Sequence, residues 1–225
     1  MEKKFDLHVH SNYSIDSLSS PKDIVKKYHS LGFDGFAITD HNRFGAHLAA
    51  QEYARANNIE MEIIGACEFK SSIGEVIGLF INEMIESTDF GSLCDAIHDQ
   101  GGFVILPHPF DSLRKGATFP DKFSSEILRL VDGVEVLNAH AIKKSDNERA
   151  LSFAKEKNLS MTGASDAHFI FECGAAYTSV PDDIPLDIAL RKSATSASGK
   201  ELPFYVHGFP TLIKWAKKSK IIKSY

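Results

Sequence analysis

The chain has 225 residues, 43% of them hydrophobic, enough to bury one sizeable core, and no shift in composition marks a domain boundary. Its 25 basic and 30 acidic residues sum to −5, but five lysines (Lys214, Lys217, Lys218, Lys220, Lys223) follow the last acid, Glu201, leaving 20 basic against 30 acidic residues, a formal −10, over 1–213. An acidic body argues against a nucleic-acid groove, three scattered cysteines (Cys67, Cys94, Cys173) argue against a disulfide framework, and no run of about 20 apolar residues could span a bilayer.

In chain order, Phe5–His10 reads as a strand. Ser20-Pro21-Lys22-Asp23 then offers an N-cap, a proline at the first helical position and an acid three residues after the cap, ahead of Ile24, Val25, Tyr28 and Leu31. A strand over Gly35–Thr39 precedes a helix over Gly45–Ala56, and strands over Glu62–Cys67 and Val76–Ile81 precede a helix over Asp89–Gln100. Strands follow at Phe103–Leu106 and Gly133–Leu137, then a helix capped at Ser145, strands at Ser160–Gly163 and Ala175–Val180, and a helix over Leu186–Lys192. Leu212–Lys220 reads as part of a basic C-terminal helix, about 211–223, with its lysines on a solvated face. The alternation predicts one α/β domain of parallel βα units over 1–225. With no GxGxxG joining a strand to a helix, a closed barrel is preferred to an open dinucleotide-binding sheet. The first six residues carry no apolar leader, so a cytoplasmic location is the expectation, and the odd, widely spaced cysteines fit a reducing compartment.

The chemistry gathers at strand ends. His8 and His10 are two apart on a strand of period two and share one side of the pleat, where they can share a metal. Phe36–Thr39 runs into Asp40-His41, Ile63–Cys67 into Glu68, Val104–Leu106 into Pro107-His108, and Thr162–Ser165 into Asp166-Ala167-His168. Each group taken singly reads as a helix cap or turn former. Five strand ends carrying His or carboxylate point together to the C-terminal face of a barrel, where active sites are built. Imidazoles and carboxylates without thiolates suit zinc, manganese or iron. The donors outnumber what one tetrahedral ion takes, so two or three divalent ions are expected, with Glu68 as the bridging carboxylate and metal-activated water as the nucleophile.

His8-Val9-His10, Asp16, Thr39-Asp40-His41, Gly65-Ala66-Cys67-Glu68, His108-Pro109 and Ser165-Asp166-Ala167-His168 resemble, in order, the motifs of the PHP (polymerase and histidinol phosphatase) superfamily, over residues 5 to about 180. The resemblance implies a distorted (β/α)7 TIM-like barrel with the metal site at the strand C-terminal face. Carried over by position, His8, His10, Glu68 and Asp166 would hold one ion, Glu68 and His108 a second, and Asp16, His41 and His168 a third. Asp40 would act as an acceptor orienting a histidine. Many relatives place another histidine in the strand after the bridging Glu, whereas here none occurs between His47 and His98. A subgroup with His-Pro-Phe-Asp followed by Arg is most similar, matching His108-Pro109-Phe110-Asp111 and Arg114.

The expected activity is therefore hydrolysis of a small phosphomonoester or nucleotide. Arg114 and Lys115 on the loop after Leu106 would hold the phosphate, and Arg43 and Asn138 are further substrate contacts. Glu68, Asp16, Asp40 and Arg114 are the catalytic candidates, with Asp16, Asp40 or water protonating the leaving oxygen. Glu135 and His140 stay unassigned, while His29, His47 and His98 read as surface or packing residues. Two other readings remain: an amidohydrolase-type C–N or C–O metallohydrolase, and a metal-retaining module without turnover. Neither a nucleic-acid nor a membrane partner is expected.

Overall fold

The computed structural model describes residues 2–114, 116–203, 206, 208–219 and 221. Its strands are β1 (Glu2–Val9), β2 (Gly35–Ile38), β3 (Glu62–Ser71), β4 (Gly74–Leu79), β5 (Phe103–Leu106), β6 (Gly133–Asn138), β7 (Ser160–Ala164), β8 (Ala176–Pro181) and β9 (Ser196–Gly199). The helices are α1 (Pro21–Ser30), α2 (Ala46–Ala56), α3 (Phe90–Asp99), the single turn α4 (Ser125–Leu128), α5 (Lys144–Lys157), α6 (Leu186–Arg191) and α7 (Gly208–Lys218). The strands form one sheet in the order β7-β6-β5-β4-β3-β2-β1-β8-β9. It curls into a nearly closed barrel. Thr178 of β8 bridges to Gly163 of β7, donating to its carbonyl at 2.9 Å and accepting its N–H at 3.1 Å. At the mouth the His10 N–H donates to Ala167 O at 2.8 Å. A Cβ on Gly163 would overlap the Tyr177 carbonyl, so this seam needs glycine there.

The α/β barrel agrees with expectation, but its strands are not all parallel βα units. β1, β2 and β3 pair in parallel, as do β5, β6 and β7, while β4 is antiparallel to both β3 and β5. β8 is antiparallel to β1, and β9, which the sequence reading does not contain, is antiparallel to β8. β3 and β4 form a hairpin whose closing pair is Ser71↔Gly74, with no intervening helix. The first residues of β4 therefore lie on the same face as the last residues of the parallel strands.

Alternate residues Phe5, Leu7, Ala37, Ile64, Ala66, Ile77, Leu79, Phe103 and Ile105 fill the barrel, and Leu186, Ala189 and Leu190 of α6 pack against them. Other clusters seat α1 and α2, α3, and α5 on the outside of the sheet. The β1 register shifts between Asp6 and Val9. Phe5 and Leu7 pack inside, yet Val9 packs outward among Ile24 and Ile38, so the bulge turns His8 and His10 into the mouth. Asp6 stays outside, accepting from Tyr28 Oη at 2.6 Å, Ser165 N at 3.0 Å and Gly174 N at 3.2 Å.

Local chemistry sets most helix starts. Ser20 Oγ accepts the Asp23 N–H at 3.3 Å ahead of Pro21, as the capping pattern predicts, and Asp89 accepts the Ser92 N–H at 2.9 Å to open α3. The expected Ser145 cap is not formed. α5 starts at Lys144 after Lys143, which makes no side-chain cap, and Asn147 turns inward to accept the Asn138 N–H at 3.0 Å. Among the described residues no helix is long and apolar enough to cross a membrane.

Candidate metal centre

Six elements deliver donors to the barrel mouth: the end of β1 (His8, His10), the loop after it (Asp16), the end of β2 (His41), β3 (Glu68), the loop after β5 (His108) and the loop after β7 (Asp166, His168). His108 at φ 30° and Asp166 at φ 54° occupy the left-handed region, where a non-glycine residue is strained. That reversal immediately after a strand turns each side chain back over the mouth.

His8 Nε2 and His10 Nε2 are 3.1 Å apart. Each lies 3.4 Å from Glu68 Oε2, and they lie 3.4 and 3.2 Å from Asp166 Oδ1. Donors about 2.1 Å from a tetrahedral ion sit about 3.4 Å from one another, so this spacing fits one divalent ion. Glu68 Oε2, Asp166 Oδ1 and Asp16 Oδ1 are buried and face imidazole nitrogens at 2.8, 3.2 and 3.8 Å without a well-aligned hydrogen bond, an arrangement that a bound cation would suit. Around the first nest, Glu68 Oε1 is 3.1 Å from His108 Nε2, and Glu68 Oε2 is 2.8 Å from His41 Nδ1. Asp16 then lies 3.3 Å from His41 Nε2 and 3.8 Å from His168 Nε2. The eight residues expected as ligands thus converge, with Glu68 between the nests.

The electrostatics require positive charge here. Burial opposes ionisation of Glu68, but the His41 and His8 rings hold its carboxyl well below the usual range. Burial likewise opposes the Asp166 charge, which Arg114 and His8 outweigh. In return, against burial, Asp166, Glu68 and Glu135 hold His8 well above the usual imidazole value, and Glu68 and Asp16 do the same for His41. Burial and the neighbouring His168 and His41 rings push His10 down to about 3. The carboxylates are neutralised by protons on His8 and His41, and divalent cations would take the place of those protons.

The supports differ from expectation. Asp40 does not orient a histidine: it accepts Ser11 N at 2.7 Å, Ser11 Oγ at 2.5 Å and Ser14 N at 3.2 Å, fixing the loop that carries Asp16. Both its oxygens are engaged, and burial raises its carboxyl to about 6 against the Ser11 and Ser14 hydrogen bonds. Glu135 is the orienting acid, 3.1 Å from His8 Nδ1, and its other oxygen accepts His108 N at 2.7 Å and Asn138 Nδ2 at 2.8 Å. Asn138, expected at the substrate, is buried, also donating to Asp166 Oδ2 at 3.2 Å and accepting His140 N at 2.7 Å. It holds carboxylates in place.

A cavity of about 400 Å³ opens beside the donors, walled among others by Asp16, Glu75, Arg114, His140, His168 and Lys214. Arg114 reaches into it, with Nη2 2.8 Å from Asp166 Oδ2 and Nε 3.6 Å from Asp111. Against burial, Asp166, Glu68 and Glu75 raise its pKa further. Lys115 lies outside the described residues. Arg43 is absent from this wall but lines an adjoining cleft with His41, Lys70, Glu75 and Lys214. His140 Nε2 is 3.2 Å from Glu172, which also accepts the His168 N–H at 2.7 Å. The basic tail is not simply a solvated face. Lys217 is 6% exposed and donates to the carbonyls of Ser14 at 2.6 Å, Ser17 at 2.8 Å and Asn12 at 3.3 Å, which brings Lys214 to 3.9 Å from Asp16. Glu75 and Glu172 are not among the candidates read from the sequence, and Lys214 and Lys217 are read there only as part of the basic tail.

Known proteins resemble the chain in sequence and in fold. A model of the PHP domain matches residues 6–106, and one for a PHP-associated segment matches residues 144–195. An uncharacterized protein of Methanocaldococcus jannaschii is 36% identical over 177 residues, covering 77% of this chain and 69% of the relative. A second from that organism is 34% identical over 149 residues, covering 61% of this chain and 82% of the relative. Among solved structures, a two-domain protein of Bacteroides vulgatus, described as containing a predicted PHP-like metal-dependent phosphoesterase, superposes with TM-score 0.74 at 23% identity, over 95% of this chain and 70% of its own. The motifs at the barrel mouth and the identity to two relatives, 69% and 82% of whose lengths are covered, agree, and the chain belongs to the PHP domain family.

Proposed function

We propose that the protein is a metal-dependent phosphoesterase acting on a small phosphomonoester that carries a second anionic group, such as a nucleoside bisphosphate. The observation that supports this most directly is Arg114: its guanidinium enters the donor-lined cavity, 2.8 Å from Asp166, where a planar cation can hold a phosphate bidentately. An amide or neutral ester would give a fixed arginine there little to bind.

Divalent ions held by His8, His10, Asp16, His41, Glu68, His108, Asp166 and His168 would activate water near neutral pH and neutralise phosphoryl charge. The chain's own groups do the rest. Arg114 orients the phosphate and stabilises the charge that develops on its oxygens. Lys214 adds a second cation on the same wall, delivered by the docking of Lys217. The adjoining cleft, with Arg43, Lys70 and Lys214, suits the second anionic group. Asp16 is held well below the usual carboxyl range by His41 and His168 against its burial, so it carries no proton to give at neutral pH. Protonation of the leaving oxygen falls to His140, an imidazole on the cavity wall outside the tightest donor nest, with Glu172 at 3.2 Å to orient it.

The test is a substrate panel with Mn²⁺ or Zn²⁺ present: p-nitrophenyl phosphate, nucleoside monophosphates and bisphosphates beside neutral esters and amides. Phosphate release that favours the bisphosphates over p-nitrophenyl phosphate and the monophosphates is expected. Cleavage of esters or amides without phosphate release would replace this reading with the amidohydrolase one, and no turnover with metal bound would leave a binding module.

A further inference from the structure

We propose that Glu75 is a metal ligand, completing with Glu68 and His108 an ion position beside the His8–His10 nest. The proposal rests on the metal-dependent reading above.

Topology brings Glu75 to the site. β4 is antiparallel to both its neighbours, so its first residues lie level with the ends of the parallel strands. The turn is fixed by the Ser71 Oγ–H to Gly74 O bond at 2.5 Å and by Glu75 N–H donation to Gly116 O at 2.8 Å. From there the Glu75 carboxylate reaches 3.8 Å from His108 Nε2, and it shares a 4.8 Å donor cluster with His41 and Glu68. Its Oε2 is buried and accepts no hydrogen bond.

Charge and coordination number point the same way. Glu75 adds another carboxylate to a mouth that already holds Glu68, Asp166 and Asp16, an arrangement that repels itself unless a cation sits among them. Arg114 does not meet that need alone, since it brings one positive charge and that charge already faces Asp166 and Asp111. Glu68 and His108 would give an ion two protein donors, fewer than divalent metals take. With Glu75 the set becomes two carboxylates and one imidazole, three protein donors with a position open to water or substrate, which is the form of catalytic sites. No histidine between His47 and His98 is available for the role. The local chain also makes room for the carboxylate: a Cβ on Gly116 would overlap it.

The full chain, Glu75→Ala and Gly116→Ala would be loaded with Mn²⁺ or Zn²⁺, desalted, and compared for ions per chain by elemental analysis and for affinity by calorimetry. Circular dichroism melting confirms that each variant is folded. Gly116→Ala keeps the Glu75 charge but displaces its flexible carboxylate, which separates ligation from a general charge effect. Both variants are expected to lose one ion equivalent, or to bind it more than about tenfold more weakly, since even partners outside the coordination shell contribute about 10–100-fold. Two or more ions in the wild type with unchanged count and affinity in both variants would overturn the role of Glu75 and leave the metal reading intact. A wild type that binds no ion would overturn that reading itself.

Discussion

His8 Nε2 and His10 Nε2, both on fully buried rings, face each other at 3.1 Å, with Glu68 Oε2 and Asp166 Oδ1 at 3.2–3.4 Å from them. Two imidazole nitrogens and two carboxylate oxygens at that spacing need a cation or shared protons at their centre. The functional argument follows from that pairing.

The first consequence concerns pH. His8 and His41 are held well above the usual imidazole value, Asp166, Glu68 and Glu135 outweighing burial at His8 and Glu68 and Asp16 at His41. Both rings are therefore protonated near neutrality and must lose those protons before they can ligate. Metal affinity should rise as pH increases from about 6 to about 8 and fall on acidification, with net proton release on binding. Calorimetry in buffers of different ionisation enthalpy measures this directly; affinity independent of pH across that window, with no proton release, would contradict the assignment.

Arg114 is assigned to the phosphate. Arg114→Ala should lower kcat/KM about 100–1000-fold, the usual loss for one fixed donor to transition-state charge, while the ion count stays at the wild-type value. Arg114→Lys should recover little, because an ammonium lacks the planar fork. Steady-state kinetics paired with elemental analysis separates the two effects, and a parallel loss of metal would assign Arg114 to the ion-binding scaffold instead.

The proton donor is a separate matter. His140→Gln should leave metal content and KM near wild type and reduce kcat by about 100-fold or more. The loss should be smaller for a substrate whose leaving group needs no proton, such as p-nitrophenol. Equal losses for p-nitrophenyl phosphate and an alkyl phosphate would remove His140 from that role.

Lys217 ties α7 to the loop that bears Asp16 through three carbonyls. Lys217→Met should cost about 2–4 kcal/mol of helix docking, given about 1.5–3 kcal/mol for a hydrogen bond to a charged group and incomplete additivity. Faster amide exchange over 208–218 and a raised KM with unchanged metal content are the expected signs. Unchanged exchange would show that α7 docks without this lysine.

The residues that converge at the mouth were legible in the sequence because His and carboxylate groups recur at strand ends: His8 and His10 sit two apart, and Asp166 and His168 follow the strand Ser160–Ala164. Glu75 was not, because an all-parallel barrel places the start of the fourth strand at the opposite end, and only the β3–β4 hairpin reverses it. The orienting role expected of Asp40 falls instead to Glu135, which the sequence reading leaves unassigned, for a related reason. Asp40 adjoins His41 in sequence but bonds Ser11 and Ser14, whereas the acid that meets His8 lies 127 residues away. Ser196–Gly199 carries no apolar alternation and forms β9 by pairing with β8. Lys217 sits in a basic run that reads as solvated, and only the carbonyls of a distant loop make its burial favourable.

The most direct test of the account is the comparison of wild-type protein with Glu68→Gln, measuring ions per chain by elemental analysis and phosphate release with and without chelator on the same preparations. The account predicts two or more ions and chelator-sensitive release for the wild type, and for the folded variant at least one ion lost and release abolished. Phosphate release from Glu68→Gln at the wild-type rate, or release that survives complete removal of metal, would contradict it.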